Sequence, residues 1–143
     1  MRSLLFTPGD SERKLAKGPA SGADVILIDL EDAVAPEGKK AARAMTAEFL
    51  STLERTDDTP PLYVRINDLE SGMAEADLEA VVPARPDGIM LPKAKSGADI
   101  QTLSAMLDGL EKKVGLETGS LSILVLALET PEGIINITSF NEC

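Results

Sequence analysis

The stretch from Val25 to Pro36 constrains this chain more than any other. It opens with Val25-Ile26-Leu27-Ile28, a nearly unbroken apolar run of the kind that forms a strand buried on both faces in a parallel sheet. Asp29, Glu31 and Asp32 follow at once. Like charges are costly to bury together, so this end must meet water, cations or hydrogen-bond donors. Pro36 suits the first turn of a helix. A buried strand that ends in acids and runs on into a helix is the βα unit of an α/β protein.

The unit recurs. Arg2 to Phe6 reads as a short strand closed by Thr7-Pro8-Gly9, followed by a helix capped at Asp10 or Ser11 and stopped by Gly18-Pro19. Lys39 to Leu53 carries Ala41, Ala42, Met45, Phe49, Leu50 and Leu53 at helical spacing. The breaker-rich loop Thr56 to Pro61 delivers a third strand, Leu62 to Asn67, and Ala74 to Val82 reads as a shorter helix. Ile89 to Lys93 is a fourth strand, and Ser96 caps a helix that runs to about Lys113. Leu121 to Leu128 is a fifth strand, ending at Glu129-Thr130-Pro131, and a last helical start spans Ile134 to Thr138. Crossovers of helical length imply parallel pairing with right-handed connections, within a single domain over residues 1–143.

Composition narrows the function. A net charge of −10 with no dense Lys/Arg cluster argues against nucleic acid as a partner. The chain has no histidine, which excludes histidine triads and most zinc sites within these residues. No run approaches membrane-spanning length, and the apolar start ends too soon for a signal peptide. The single Cys143 has no partner for an internal disulfide; a reducing, cytoplasmic setting is expected.

In parallel α/β proteins ligands bind beyond the carboxyl ends of the strands. Those ends here are Thr7-Pro8-Gly9, Glu31-Asp32, Arg65 with Asn67, Lys93 and Glu129. Glu129 follows a long apolar run, which implies a fixed and partly desolvated carboxylate. Either it ligates a hard divalent cation such as Mg²⁺, or it pairs with Arg65 or Lys93. Arg65 sits among apolar neighbours, so it either binds a carboxylate or enolate oxygen or pairs structurally with Glu31 or Asp32. Glu31 and Asp32 either line the site or support Arg65, while Asp29 is read as turned toward the helix layer. Lys93 is expected to be a rim or supporting charge and Asn67 a turn cap; Arg2 and Lys14 are expected to be solvated.

These residues resemble the HpcH/HpaI aldolase superfamily, in particular its citrate lyase beta-subunit group with the related malyl-CoA and citramalyl-CoA lyases. The matching pieces are Arg2 to Asp10, Asp29 to Val34, Val64-Arg65-Ile66-Asn67, Leu91-Pro92-Lys93 and Leu128-Glu129-Thr130 with Gly133, in family order. The resemblance implies a (β/α)₈ TIM barrel, usually oligomeric, of which this chain covers about the first five βα units. It also implies a Mg²⁺-dependent carbon–carbon lyase that cleaves a citryl- or malyl-type thioester, of CoA or an acyl carrier. The products would be an acetyl thioester and a keto acid such as oxaloacetate. By the same resemblance Arg65 binds the keto acid, Glu129 ligates Mg²⁺ beside it, and Glu31 and Asp32 line the site.

The family's second metal-binding aspartate, after a sixth strand, has no counterpart here. The chain is therefore read as a fragment carrying part of a site, or as a truncated product that has lost the activity. A sheet edge left open is a liability that a remaining half or a second copy would cover, so a homo-oligomer is expected, alone or with other lyase subunits. The competing expectation is a flavodoxin-like binding or regulatory module, which also contains five βα units.

Overall fold

In the computed structural model, which describes residues 2–142, the apolar runs become five strands. They are β1 (Leu4–Pro8), β2 (Val25–Asp29), β3 (Leu62–Arg65), β4 (Gly88–Leu91) and β5 (Ser122–Val125). The helices between and after them are α1 (Glu12–Lys17), α2 (Lys39–Thr52), α3 (Ala74–Val81), α4 (Gly97–Val114) and α5 (Pro131–Ile135). Cys143 lies outside the described residues.

Every neighbouring pair of strands is parallel, and the spatial order is β1-β2-β3-β4-β5. That order overturns the flavodoxin-like alternative, whose strands run 2-1-3-4-5 with helices on both faces. When each right-handed crossover moves one strand along in the same direction, every helix falls on the same face. The sheet is the arc of a (β/α)₈ barrel.

Strand parity then divides the side chains. Ile26, Ile28, Leu62, Val64, Ile89 and Leu91 join Leu15, Leu50, Leu78, Leu103 and Leu107 of the helices in one buried core. The alternate positions, Asp29, Arg65, Met90 and Leu124, are register partners on the other face. Gly88 belongs to that inner set, and a Cβ there would overlap the Tyr63 ring. The two outer strands leave open edges, and Leu4, Leu5 and Phe6 of β1 are exposed. No helix among the described residues is long and apolar enough to cross a membrane.

The expected boundaries shift for local reasons. β1 begins at Leu4, because the N–H groups of Arg2 and Ser3 donate to Asp24 Oδ2 at 2.5 and 2.8 Å. β4 ends at Leu91, where Pro92 and a left-handed Lys93 follow. The last ladder bond to β5 is therefore Leu126 N–H to the Leu91 carbonyl at 2.9 Å. α5 starts earlier than expected, with Pro131 in its first turn and Thr130 Oγ1 accepting from Gly133 N–H at 3.0 Å. Ser96 caps α4 as expected, and Asp99 completes a capping box with it.

Glu111 is fully buried near the end of α4, opposite the strand ends where ligands bind. Its carboxylate accepts from Gly119 N–H at 2.7 Å, Leu121 N–H at 2.8 Å and Ser120 Oγ at 3.0 Å, tying α4 to the turn that starts β5. Burial pushes the carboxyl up, but these donors outweigh it and hold it below the ordinary glutamate value. Stability from this group is thus present above the unfolded-state pKa and lost as the pH falls through the lowered folded value. In the full-length protein, Glu111→Gln is expected to cost about 1.5–3 kcal/mol at neutral pH, read from the urea midpoint. The difference from wild type should shrink below about pH 4. An equal difference at pH 7 and pH 3 would show that the charge is not what stabilises this corner.

Candidate active site

Because Asp29 and Arg65 are register partners on adjacent parallel strands, their side chains leave the sheet side by side. Arg65 Nε donates to Asp29 Oδ1 at 2.8 Å and Nη2 donates to Oδ2 at 2.6 Å. The remaining nitrogen, Nη1, lies 2.9 Å from Glu31 Oε2 and 3.7 Å from Asp32 Oδ2. The guanidinium carbon sits 4.7 Å from the centre of the Phe6 ring, a cation–π contact. Arg65, Asp29 and Glu31 are all buried, at 8, 1 and 4% exposure, whereas Asp32 is exposed.

Two expectations change here. Asp29 does not face the helices: it has the parity of Glu31, and Ile28 and Leu30 take the helix side. The structural pairing of Arg65, one of its two expected roles, is made with Glu31 as foreseen, but the fork itself closes on Asp29. The guanidinium still has five N–H groups, and these contacts engage three of them.

Asp29 also accepts from the N–H groups of Glu31 (2.8 Å) and Ala33 (3.0 Å), so it folds the chain segment that carries Glu31 and Asp32. Lys39, buried at the start of α2, donates Nζ–H to the carbonyls of Leu30 at 2.7 Å and Glu31 at 2.6 Å. Asn67 is no turn cap: its Nδ2 donates to the Leu30 carbonyl (3.1 Å) and to Asp77 Oδ2 (2.7 Å). Asp77 in turn holds Arg43 Nε at 2.6 Å. Sequence reasoning missed Lys39 and Asp77 and misplaced Asp29. Only Asp29 carried a signal, the two-residue parity with Glu31.

Glu31 stands between two cations, with Lys93 Nζ 2.6 Å from Oε1 on the side away from Arg65. Both oxygens are buried and neither receives a well-aligned hydrogen bond, so charge more than direction holds these contacts. Burial pushes the Glu31 carboxyl above its ordinary value against the pull of Lys93 and Arg65. Burial likewise works against ionised Asp29, but the bonds from Arg65 and the Glu31 N–H prevail and hold its carboxyl low. The Glu31 carboxylate beside it raises the Lys93 ammonium.

Glu129 departs from expectation in burial. It is exposed, and its partner is neither cation but the backbone: Lys93 N–H donates to Oε2 at 2.8 Å. Arg2 lies 3.7 Å from Asp24 and is solvated as expected. Asp29, Arg65, Glu31, Lys93 and Glu129 therefore form a continuous run of contacts across the ends of β2, β3, β4 and β5.

Mg²⁺ is commonly held by one or two carboxylates, with water and ligand oxygens completing six positions. Among the described residues no group of three or more acidic or thiol side chains is gathered to hold a metal. Glu129 fits the smaller role, since among the described residues Oε1 has no hydrogen bond or ion pair and Oε2 is oriented by Lys93.

The chain is similar to known proteins in sequence and in fold. The chain is 38% identical to a (3S)-malyl-CoA thioesterase of Cereibacter sphaeroides, over 82% of this chain and 40% of the relative. It is also 38% identical to a mitochondrial citramalyl-CoA lyase of Rattus norvegicus, over 99% of this chain and 41% of that one. A solved citrate lyase beta subunit of Mycobacterium tuberculosis, complexed with oxaloacetate and magnesium, superposes with a TM-score of 0.67 at 31% identity. That match covers 92% of this chain and 49% of the solved one. The chain thus spans less than half the length of these relatives. The pattern of the HpcH/HpaI aldolase/citrate lyase family matches residues 2–141, and the chain belongs to that family.

Proposed function

We propose that the full-length protein is a Mg²⁺-dependent carbon–carbon lyase that cleaves a citryl- or malyl-type thioester into an acetyl thioester and a keto acid such as oxaloacetate. The single observation that carries this reading is the run of contacts from Asp29 through Arg65, Glu31 and Lys93 to Glu129. It brings a locked guanidinium and a rim carboxylate to one mouth. The citramalyl-CoA lyase among the relatives supports the reading, as does the solved citrate lyase beta subunit complexed with oxaloacetate and magnesium. The malyl-CoA thioesterase shares by its name only the thioester class.

In this reaction the substrate hydroxyl loses its proton and the carbon–carbon bond breaks toward the thioester. Its electron pair becomes the thioester enolate, which then takes a proton on carbon. Arg65, pinned by Asp29, turns its remaining N–H groups to the carboxylate and growing carbonyl of the keto acid. Glu129 offers a carboxylate oxygen to Mg²⁺, which when bound would polarise the oxygen on the cleaved carbon. Glu31 and Asp32 line the same mouth and fix the charge around Arg65. The family's second metal-binding aspartate and the strands that would close the barrel belong, in this reading, to the rest of the protein.

The test is release of keto acid by the full-length protein from citryl, malyl and citramalyl thioesters, with Mg²⁺ and with EDTA. Turnover that needs Mg²⁺ is expected, and Glu129→Gln should weaken Mg²⁺ binding by about tenfold or more. No release from any of the three thioesters would end the proposal. Unchanged metal binding by Glu129→Gln would remove Glu129 as a ligand.

A further inference from the structure

Lys93 is one of two residues other than glycine with positive φ among those described, at 51°. Side chains disfavour that left-handed region, and a residue held there without glycine marks a place where the surroundings impose the conformation. The surroundings are visible. Leu91 and Pro92 are buried at the end of β4, and the residue before a proline is kept extended, so the turn falls on Lys93. Two contacts then hold it from opposite ends. Its N–H reaches Glu129 Oε2 at 2.8 Å, and its Nζ reaches the buried Glu31 Oε1 at 2.6 Å.

We infer that Lys93 is a positioning residue for the Glu129 carboxylate: its left-handed backbone aims the N–H that orients Oε2, and buried Glu31 anchors the side chain of that turn. This goes beyond an expected rim charge, because the working group is the backbone amide. Glu129 is exposed, and the described contacts give it no other hydrogen bond or ion pair. A carboxylate on three rotatable side-chain bonds from the rim would otherwise sample many orientations. One amide bond to Oε2 leaves Oε1 without a protein hydrogen bond and so available to a cation, the kind of outer support that fixes metal ligands. The inference rests on the reading of Glu129 as a Mg²⁺ ligand.

The test compares Lys93→Gly, Lys93→Ala and Lys93→Val in the full-length protein, with Glu129→Gln alongside. All three Lys93 variants lack the ammonium and keep the N–H; they differ in tolerance of positive φ, glycine most and valine least. Mg²⁺ affinity is measured by calorimetry, and Mn²⁺ bound in its place by electron paramagnetic resonance, with urea midpoints recorded for each. Lys93→Val is expected to bind Mg²⁺ about tenfold more weakly than Lys93→Gly, with Lys93→Ala between them. If the valine variant does not fold, the alanine and glycine pair decides in the same sense. Equal affinities with altered midpoints would make Lys93 merely structural and overturn the inference. If they are equal while Glu129→Gln weakens binding, Glu129 stands as ligand and only the role of Lys93 falls. If Glu129→Gln also leaves binding unchanged, the reading of Glu129 falls, and the inference with it.

Discussion

Arg65→Lys in the full-length protein is expected to lower kcat for thioester cleavage by about 10²–10³-fold, the usual loss when one donor to a developing oxyanion is removed. Lysine keeps the charge, so the loss would come from geometry. Arg65 spans both oxygens of Asp29, touches Glu31 through Nη1 and still has N–H groups to spare. An ammonium on a flexible stem is a point charge. Placed at position 65, it would settle between Asp29 and Glu31 and have nothing left in a fixed direction for a keto acid. The guanidinium's contact with the Phe6 ring would be lost too. If Arg65 acts on the transition state, kcat and kcat/KM fall together; if it only binds the ground state, KM rises alone. A kcat within about threefold of wild type would make the lysine a sufficient substitute and reduce Arg65 to a structural cation.

Much of this arrangement was legible in the sequence because strand ends are where apolar runs stop. Glu129 closes such a run, Glu31 and Asp32 follow one, and Arg65 stands near the end of another. What the sequence did not show was register. Nothing in Val25 to Asp29 or Leu62 to Arg65 states that Asp29 stands beside Arg65 rather than two residues away. Without that, the partner of the guanidinium is a guess between three acids. Parity alone would have corrected the placement of Asp29, since Ile26, Ile28 and Leu30 already claim the helix side. Lys39 and Asp77 were illegible for another reason. Each sits on a helix at a position that reads as solvated, and only tertiary packing turns it toward a backbone carbonyl or a buried amide. Glu129 was misjudged in burial because apolar neighbours in sequence do not guarantee a covered side chain at the rim.

Asp29→Ala is expected to destabilise the full-length protein by about 3–5 kcal/mol, the usual cost of removing one partner of a buried ion pair. The reason is the charge left behind. Arg65 would keep Glu31, but its fork would face a void, and the N–H groups of Glu31 and Ala33 would lose their acceptor. Both consequences fall on the segment that carries Glu31 and Asp32, so activity should fall with stability. A double variant separates the ion pair from the amide contacts. Asp29→Ala with Arg65→Met removes both charges while the chain segment still lacks its acceptor. Its cost should be below the sum of the two single changes by about 1–3 kcal/mol, as expected for residues in direct contact. Acid gives a second view, because the Asp29 carboxyl is held low. The stability it contributes is present above the ordinary aspartate pKa and is lost as the pH falls through the lowered folded value. The gap between wild type and Asp29→Ala should therefore narrow in acid. Strict additivity of the two substitutions at neutral pH would mean that Asp29 and Arg65 do not stabilise each other, and the locked guanidinium would lose its cause.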